Sequence, residues 1–393
     1  MRGGVLSEGL LRRSDGVMTK LTIALQFRLL ILAFFLFSQA HSQTNPNFNV
    51  RLNINYESAE RSIGLFEGHS GSGRDIVPLR GSRIALATTG DLARRRLTED
   101  HLEKSLDDIK FGQINTDDVF RMKESRANVG AMKELLANIR RRNFAQRVAS
   151  TVEQLFPASA RITTTIPLYF VAFGHQNLDA YVRRVVWEND VPVFVGEGEG
   201  ELTIVVNLAN AIHYGRTADE RFIGVLSVVA HEVFHAALGV YKDSSPQWKE
   251  YYRTHQSYVD QLLDLTQNEG IAHYLTFEQR TGGNLPPDWD EKIAQSFEEF
   301  CRSAAELSSF RISPQRAHYL ISSSNTSEYW KSYGAITGMF IARTIDNKLG
   351  RAVLTESITN GADDFYRKYK LLSEQDTNLP KLCSALLNHL NFK

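Results

Sequence analysis

The chain has 393 residues, with 45 basic and 45 acidic side chains, 42% hydrophobic and 10% aromatic content. That length can bury a sizeable core in one large or two modest domains, and the zero formal charge argues against a nucleic-acid partner. Cys301 and Cys383 are the sole cysteines; they pair in an oxidising compartment and tie the C-terminal helices, or stay as separate buried thiols.

The N-terminus carries a targeting pattern. Leu29–Phe37 is an unbroken apolar run behind Lys20 and Arg28, and Ser38–Gln43 offers small residues for cleavage after Ala40 or Ser42. Residues 1–42 are therefore expected to be a signal peptide, with Met18 as an alternative start, and the protein to be secreted or periplasmic. The run is too short for a transmembrane span, so no stable span is expected after signal cleavage. A buried N-terminal helix or a membrane anchor is the competing reading.

Beyond a polar leader, Arg51–Tyr56 alternates like a strand, though it could lead into a helix, and Gly68–Gly73 is a loop. From about Asp91 to Phe156 the chain is helical in pattern, with the arginine triplets 94–96 and 140–142 on solvated faces. The period then changes. Ile162–Ile166 and Leu168–Phe173 are β-rich, and Val191–Val195 and Leu202–Val206 are two strands joined by a Gly/Glu link, so a sheet precedes the next helix.

That helix is announced by Thr217 and Glu220, the ends of a Thr-x-x-Glu capping box. The apolar run from Phe222 to Ala230 leads into His231-Glu232-Val233-Phe234-His235, a match to HExxH. At 3.6 residues per turn the two histidines share a face one turn apart and can grip one Zn²⁺, with Glu232 beside an open position. Two histidines and a glutamate inside so apolar a helix cost free energy unless paired or metal-bound. The helix is expected to end near Gly239, with Lys242–Pro246 as loop.

A catalytic zinc needs a third protein ligand. Tyr258, Val259, Leu262, Leu263, Thr266, Gly270, Tyr274 and Phe277 have helical spacing, and Glu269 sits against that apolar stripe. His273 follows one turn later, and Gly270 lets another helix approach closely. Pro286-Pro287 ends this helix. Further helices are expected at about Trp289–Leu307, Trp330–Leu349, Arg351–Lys370 and Leu379–Leu390. The resulting division is 43–245, with sheet and HExxH helix, and 246–393, helical, with the metal at their junction.

HEVFH followed by a later helix carrying Asn268-Glu269-Gly270-Ile271-Ala272 resembles the gluzincin branch of zinc peptidases. With the Ser332-Tyr333-Gly334 segment, the chain is also similar to a bacterial domain-of-unknown-function family held to be zinc-dependent peptidases. One departure stands out: thirty-three residues separate His235 from Glu269, more than in the well-known gluzincins. The resemblance implies an α+β, zincin-like fold, with a small mixed sheet and active-site helix followed by an all-helical C-terminal lobe. It also implies a sheet edge that binds an extended peptide; an edge simply covered by helices is the competing reading.

By the same resemblance His231, His235 and Glu269 ligate Zn²⁺ and Glu232 is the general base that takes a proton from a metal-activated water. Tyr333 is the first candidate to stabilise the oxyanion, with packing in the C-terminal lobe as its other reading; His273 is the second candidate, or orients Glu269. His213 is expected to be a surface residue. The expected function is an exported zinc metallopeptidase acting on a peptide or protein. The alternatives are an inactive zincin-like binding protein and a zinc hydrolase of non-peptide amides.

Overall fold

Arg51–Tyr56 falls almost wholly in β1 (Phe48–Asn55), the first strand of the computed structural model. The structure describes residues 47–113, 117–196, 200–282, 284–326 and 329–391. The expected signal peptide, 1–42, and the tip of the Gly/Glu link, 197–199, lie outside the described residues. β1 leads into α1 (Glu57–Phe66), and a helix not foreseen, α2 (Arg80–Ala93), follows. The helical stretch after them comprises α3 (Glu99–Lys110), α4 (Met122–Ala127), α5 (Val129–Arg141) and α6 (Phe144–Glu153).

The arginines at 140–142 are not a purely solvated face. The Arg140 guanidinium lies 4.5 Å from the centre of the Tyr56 ring, and that of Arg142 lies 4.0 Å from Phe222. Cation–π contact lets each charge cover an aromatic surface.

The sheet is completed by β2 (Ile162–Val171), β3 (Ala180–Glu188), β4 (Val191–Val195) and β5 (Glu201–Asn207). Its order is β1-β2-β5-β3-β4, parallel across the first three strands and antiparallel beyond. β3 was not foreseen, because Arg183-Arg184 interrupts its apolar alternation. The Arg183 guanidinium instead stacks 5.0 Å from the Phe194 ring. β4 and β5, expected as two strands in succession, are not neighbours; β3 runs between them.

Period-two alternation in β2 divides the layers. On one face Tyr169 and Val171 meet Gly81 of α2, where a Cβ would lie 3.2 Å from the Tyr169 Cβ. On the other, Phe170 meets Phe144 of α6, which in turn meets Phe222 of the next long helix. Buried Ile166–Val171 is thus covered on both faces, as parallel strands require.

After the short α7 (Leu208–Ala211) comes α8 (Ala218–Ser244), with the Thr217/Glu220 capping box in place. It runs past Gly239, contrary to the expected stop. Tyr241 and Lys242 are both 7% exposed, so tertiary burial carries the helix onward. Ser245 then caps α9 (Pro246–Thr254) with Pro246 in its first turn. By length and composition α8 could cross a membrane, but it is packed against β2, β3, β5 and α6 and most of it is buried.

The remainder is helical: α10 (Tyr258–Thr281), α11 (Trp289–Leu307), α12 (Pro314–Thr326), α13 (Tyr333–Leu349), α14 (Arg351–Asn360), α15 (Ala362–Gln375) and α16 (Ser384–Asn391). One helix was expected over 351–370, but Gly361 breaks it at φ +92°, where any Cβ would lie 2.8 Å from the Tyr251 ring. The last helix starts at Ser384 rather than Leu379. Cys383 Sγ lies 3.8 Å from the Cys301 carbonyl oxygen, and the two are free thiols in this structure. The fold is α+β, with one five-stranded mixed sheet in the N-terminal part and helices beyond.

Candidate metal centre

α8 and α10 lie antiparallel, so residues late in one meet residues early in the other. At one end Lys242 Nζ, almost fully buried, is 2.5 Å from Asp264 Oδ1 and 4.1 Å from the centre of the Trp248 ring. Two turns towards the sheet, His235 faces Asn268 and Glu269, and His231 faces Glu269 and His273. The helical period sets the pair of histidines; the antiparallel alignment of α10 delivers the carboxylate.

The back of α10 fixes its height. α13 crosses it at Gly270 and Gly338, where a Cβ on Gly270 would lie 2.3 Å from the Gly338 backbone and one on Gly338 would lie 2.1 Å from the Thr266 carbonyl oxygen. Only glycine fits at both positions. Glu269, adjacent to Gly270, therefore projects from a helix clamped between α8 and α13.

The three side chains converge through specific atoms. His231 Nε2 and His235 Nε2 are 2.9 Å apart, and Glu269 Oε2 is 3.6 Å and 3.4 Å from them. A tetrahedral zinc with bonds near 2.0–2.1 Å needs ligand atoms roughly 3.4 Å apart, so both edges to the carboxylate suit it and the edge between the imidazoles is somewhat short. The side chains are 15–20% exposed, which leaves the cluster reachable from solvent. His235 Nδ1 is 2.9 Å from Asn268 Oδ1. Donation from Nδ1–H to that amide oxygen leaves the Nε2 lone pair for a metal. Among the described residues this is the one group of three or more His, Cys, Asp or Glu side chains arranged to hold a metal ion.

Charge in the cluster points the same way. Burial opposes ionisation of Glu269, yet the field of His235 and hydrogen bonds from both histidines hold its carboxyl well below the usual range. Burial also opposes charge on His235, but Glu269 outweighs it and lifts the imidazole to about 9. Glu232 behaves oppositely: burial raises its pKa, the two histidines lower it, and Glu269 and Asp179 raise it again. Two carboxylates at one site are thus pushed apart in acidity, which suits different roles.

The other expected residues separate. His273 stacks edge-on against His231, ring centres 4.9 Å apart, and lies outside the three-residue group. Its pKa is pushed down to about 3 by burial and then by His231. Tyr333 is not brought to the cluster. It opens α13 and its hydroxyl donates to the Leu320 carbonyl oxygen at 2.6 Å, among Ser303, Ser323 and Arg316. The oxyanion expectation for Tyr333 is corrected to its packing alternative, because this hydroxyl is already committed within the helical part. His213 is a surface residue paired with Glu124 at 2.8 Å. A residue that sequence reading missed, Tyr214, lies in the electrostatic field of Glu232 and Asp179. Nothing in Ile212-His213-Tyr214-Gly215 marks it in advance.

No curated protein and no solved structure matches the chain. A family profile described as "Putative zinc dependent peptidase (DUF5700)" matches residues 93–378, a span that contains α8, α10 and α13 together. That description agrees with a group of two histidines and a glutamate able to hold a metal, and the chain belongs to this family.

Proposed function

We propose that the protein is an exported zinc metallopeptidase that hydrolyses peptide bonds, with His231, His235 and Glu269 as ligands and Glu232 as general base. The observation that carries this reading is the convergence of two Nε2 atoms and one carboxylate oxygen, with Glu232 next to His231 in the same helix. Zinc bound there supplies Lewis acidity to a water and to the acyl oxygen of the substrate.

The residues of the chain do the rest. Glu232 takes a proton from the attacking water and returns it to the departing amine; a C–O bond forms, the C–N bond breaks, and the products are a carboxylate and an amine. Asn268 holds the tautomer of His235, and Lys242 with Asp264 fixes the alignment of α8 on α10. An extended substrate that adds to the sheet must use an edge, which here means β1 or β4. Export rests on the apolar run Leu29–Phe37 and the small residues behind it.

Incubation of the zinc-loaded protein with a mixed peptide library, with and without chelator, tests the reading. Chelator-sensitive cleavage is expected, and the new termini report whether the enzyme cuts internally or from an end. A zinc-loaded protein that leaves every peptide intact contradicts it.

A further inference from the structure

A peptidase site of this kind develops negative charge on the acyl oxygen, and a hydrogen-bond donor aimed at that oxygen is worth a large part of the rate. The helical part provides none through Tyr333. The segment between sheet and α8 does: Tyr214 closes the short turn Ile212–Tyr214 that precedes the Thr217 cap. This inference rests on the peptidase reading above.

Three observations single out Tyr214. Its hydroxyl is buried and makes no hydrogen bond of ordinary geometry. Buried hydroxyls are nearly always satisfied, so one left without such a bond calls for a partner that arrives later. Next, its ring is held in place. Gly224 of α8 leaves the space for its Cβ, since any Cβ there would lie 2.4 Å from that of Tyr214, and the Arg280 guanidinium of α10 stacks 4.9 Å from the ring centre. Finally, Gly224, against which the ring packs, shares the helix face of His231 two turns before it, and Glu232 is among the charges that act on the phenol. Glu232 is about 12 Å along α8 from Gly224 at a rise of 1.5 Å per residue.

We infer that the Tyr214 hydroxyl is a catalytic hydrogen-bond donor to the acyl oxygen of the substrate as it acquires negative charge. The phenol keeps its proton throughout, and only a hydrogen bond forms and breaks. Its surroundings favour that state: burial first, then the neighbouring Asp179 carboxylate and Glu232, push the phenol well above its ordinary pKa. Asp179 lies near the hydroxyl, but no hydrogen bond of ordinary geometry joins them, so the donor is poised rather than spent.

The test is Tyr214→Phe in the full zinc-loaded chain. Phenylalanine preserves the ring between Gly224 and Arg280, and no hydrogen bond of ordinary geometry is lost, so zinc content and melting temperature are expected to stay close to wild-type values. On a peptide that the wild type cleaves, kcat is expected to fall by ~10²-fold with KM nearly unchanged. Affinity for a peptide phosphonate, whose tetrahedral anion mimics the charged acyl group, is expected to weaken by a comparable factor, while that for the matching substrate does not. Wild-type kcat and phosphonate affinity in the variant overturn the assignment while leaving the peptidase reading intact. So does a raised KM at constant kcat, which marks a role in shape alone. A wild type that neither cleaves peptides nor binds the phosphonate overturns both.

Discussion

Gly270 and Gly338 meet backbone to backbone, the Gly270 Cα lying only 2.8 Å from where a Cβ on Gly338 would be. This contact sets the position of α10, and with it the position of the Glu269 carboxylate opposite His231 and His235. Gly338→Ala must move α13 away from Thr266 and Gly270. Overpacking of this kind costs roughly 1–3 kcal/mol. The expected outcome is a lower midpoint in denaturant together with weaker zinc retention, since α10, which carries the third ligand, loses the contact that sets its height. Unfolding curves and zinc titration of the same sample check it; a loss of stability with wild-type zinc affinity would detach the crossing from the site.

The three ligands differ from His273 in what their loss should do. Glu269→Ala removes the sole carboxylate in the group and is expected to abolish stoichiometric zinc after dialysis, as are His231→Ala and His235→Ala. His273→Ala should retain zinc with a modest loss of affinity, because that ring packs on His231 without joining the group. Metal analysis after dialysis against a weak chelator decides, and the reverse order would make His273 the ligand.

Tyr333 gives a contrasting case to the reactive phenol proposed at position 214. Tyr333→Phe removes one donor to the Leu320 carbonyl, which keeps the Ser323 hydroxyl at 3.1 Å, at a cost of about 0.5–1.5 kcal/mol. Stability should drop by that amount while kcat on a cleaved peptide remains at the wild-type value. A fall in kcat with unchanged stability would return Tyr333 to the reaction.

Much of this site is legible in the sequence because it rests on short-range geometry. HEVFH fixes two ligands by helical period alone, and Glu269 stands out as a carboxylate on an apolar stripe beside a glycine. The capping box at Thr217 and Glu220 is equally local. What escapes is decided at long range. Nothing near Tyr333 says that Leu320 will take its hydroxyl, and nothing near Tyr214 says that α8 lacks a side chain at Gly224 to receive it. β3 hides behind Arg183-Arg184 because the aromatic ring that accepts Arg183 belongs to another strand. The helix past Gly239 continues because Tyr241 and Lys242 find burial that their own neighbours in sequence do not provide.

The cap of α8 carries a pH signature. Backbone N–H groups of Thr217 and Arg216 hold the Glu220 carboxyl below its usual pKa. A depressed folded-state pKa contributes stability that is present above the unfolded value, near ~4.3, and is lost as pH falls through the folded one. Glu220→Gln should therefore flatten the fall in melting temperature between about pH 5 and 3. Thr217→Ala, which removes the reciprocal bond, should cost ~1 kcal/mol at neutral pH. An unchanged acid profile in Glu220→Gln would remove the cap from the account.

The central claim is that Glu232 moves protons at a zinc held by its neighbours, and one paired measurement on Glu232→Gln tests it most directly: zinc stoichiometry and the rate of peptide hydrolysis in the same preparation. The account predicts one zinc per chain, as in the wild type, and hydrolysis reduced by ~10²-fold or more. Hydrolysis at the wild-type rate with zinc in place would contradict it.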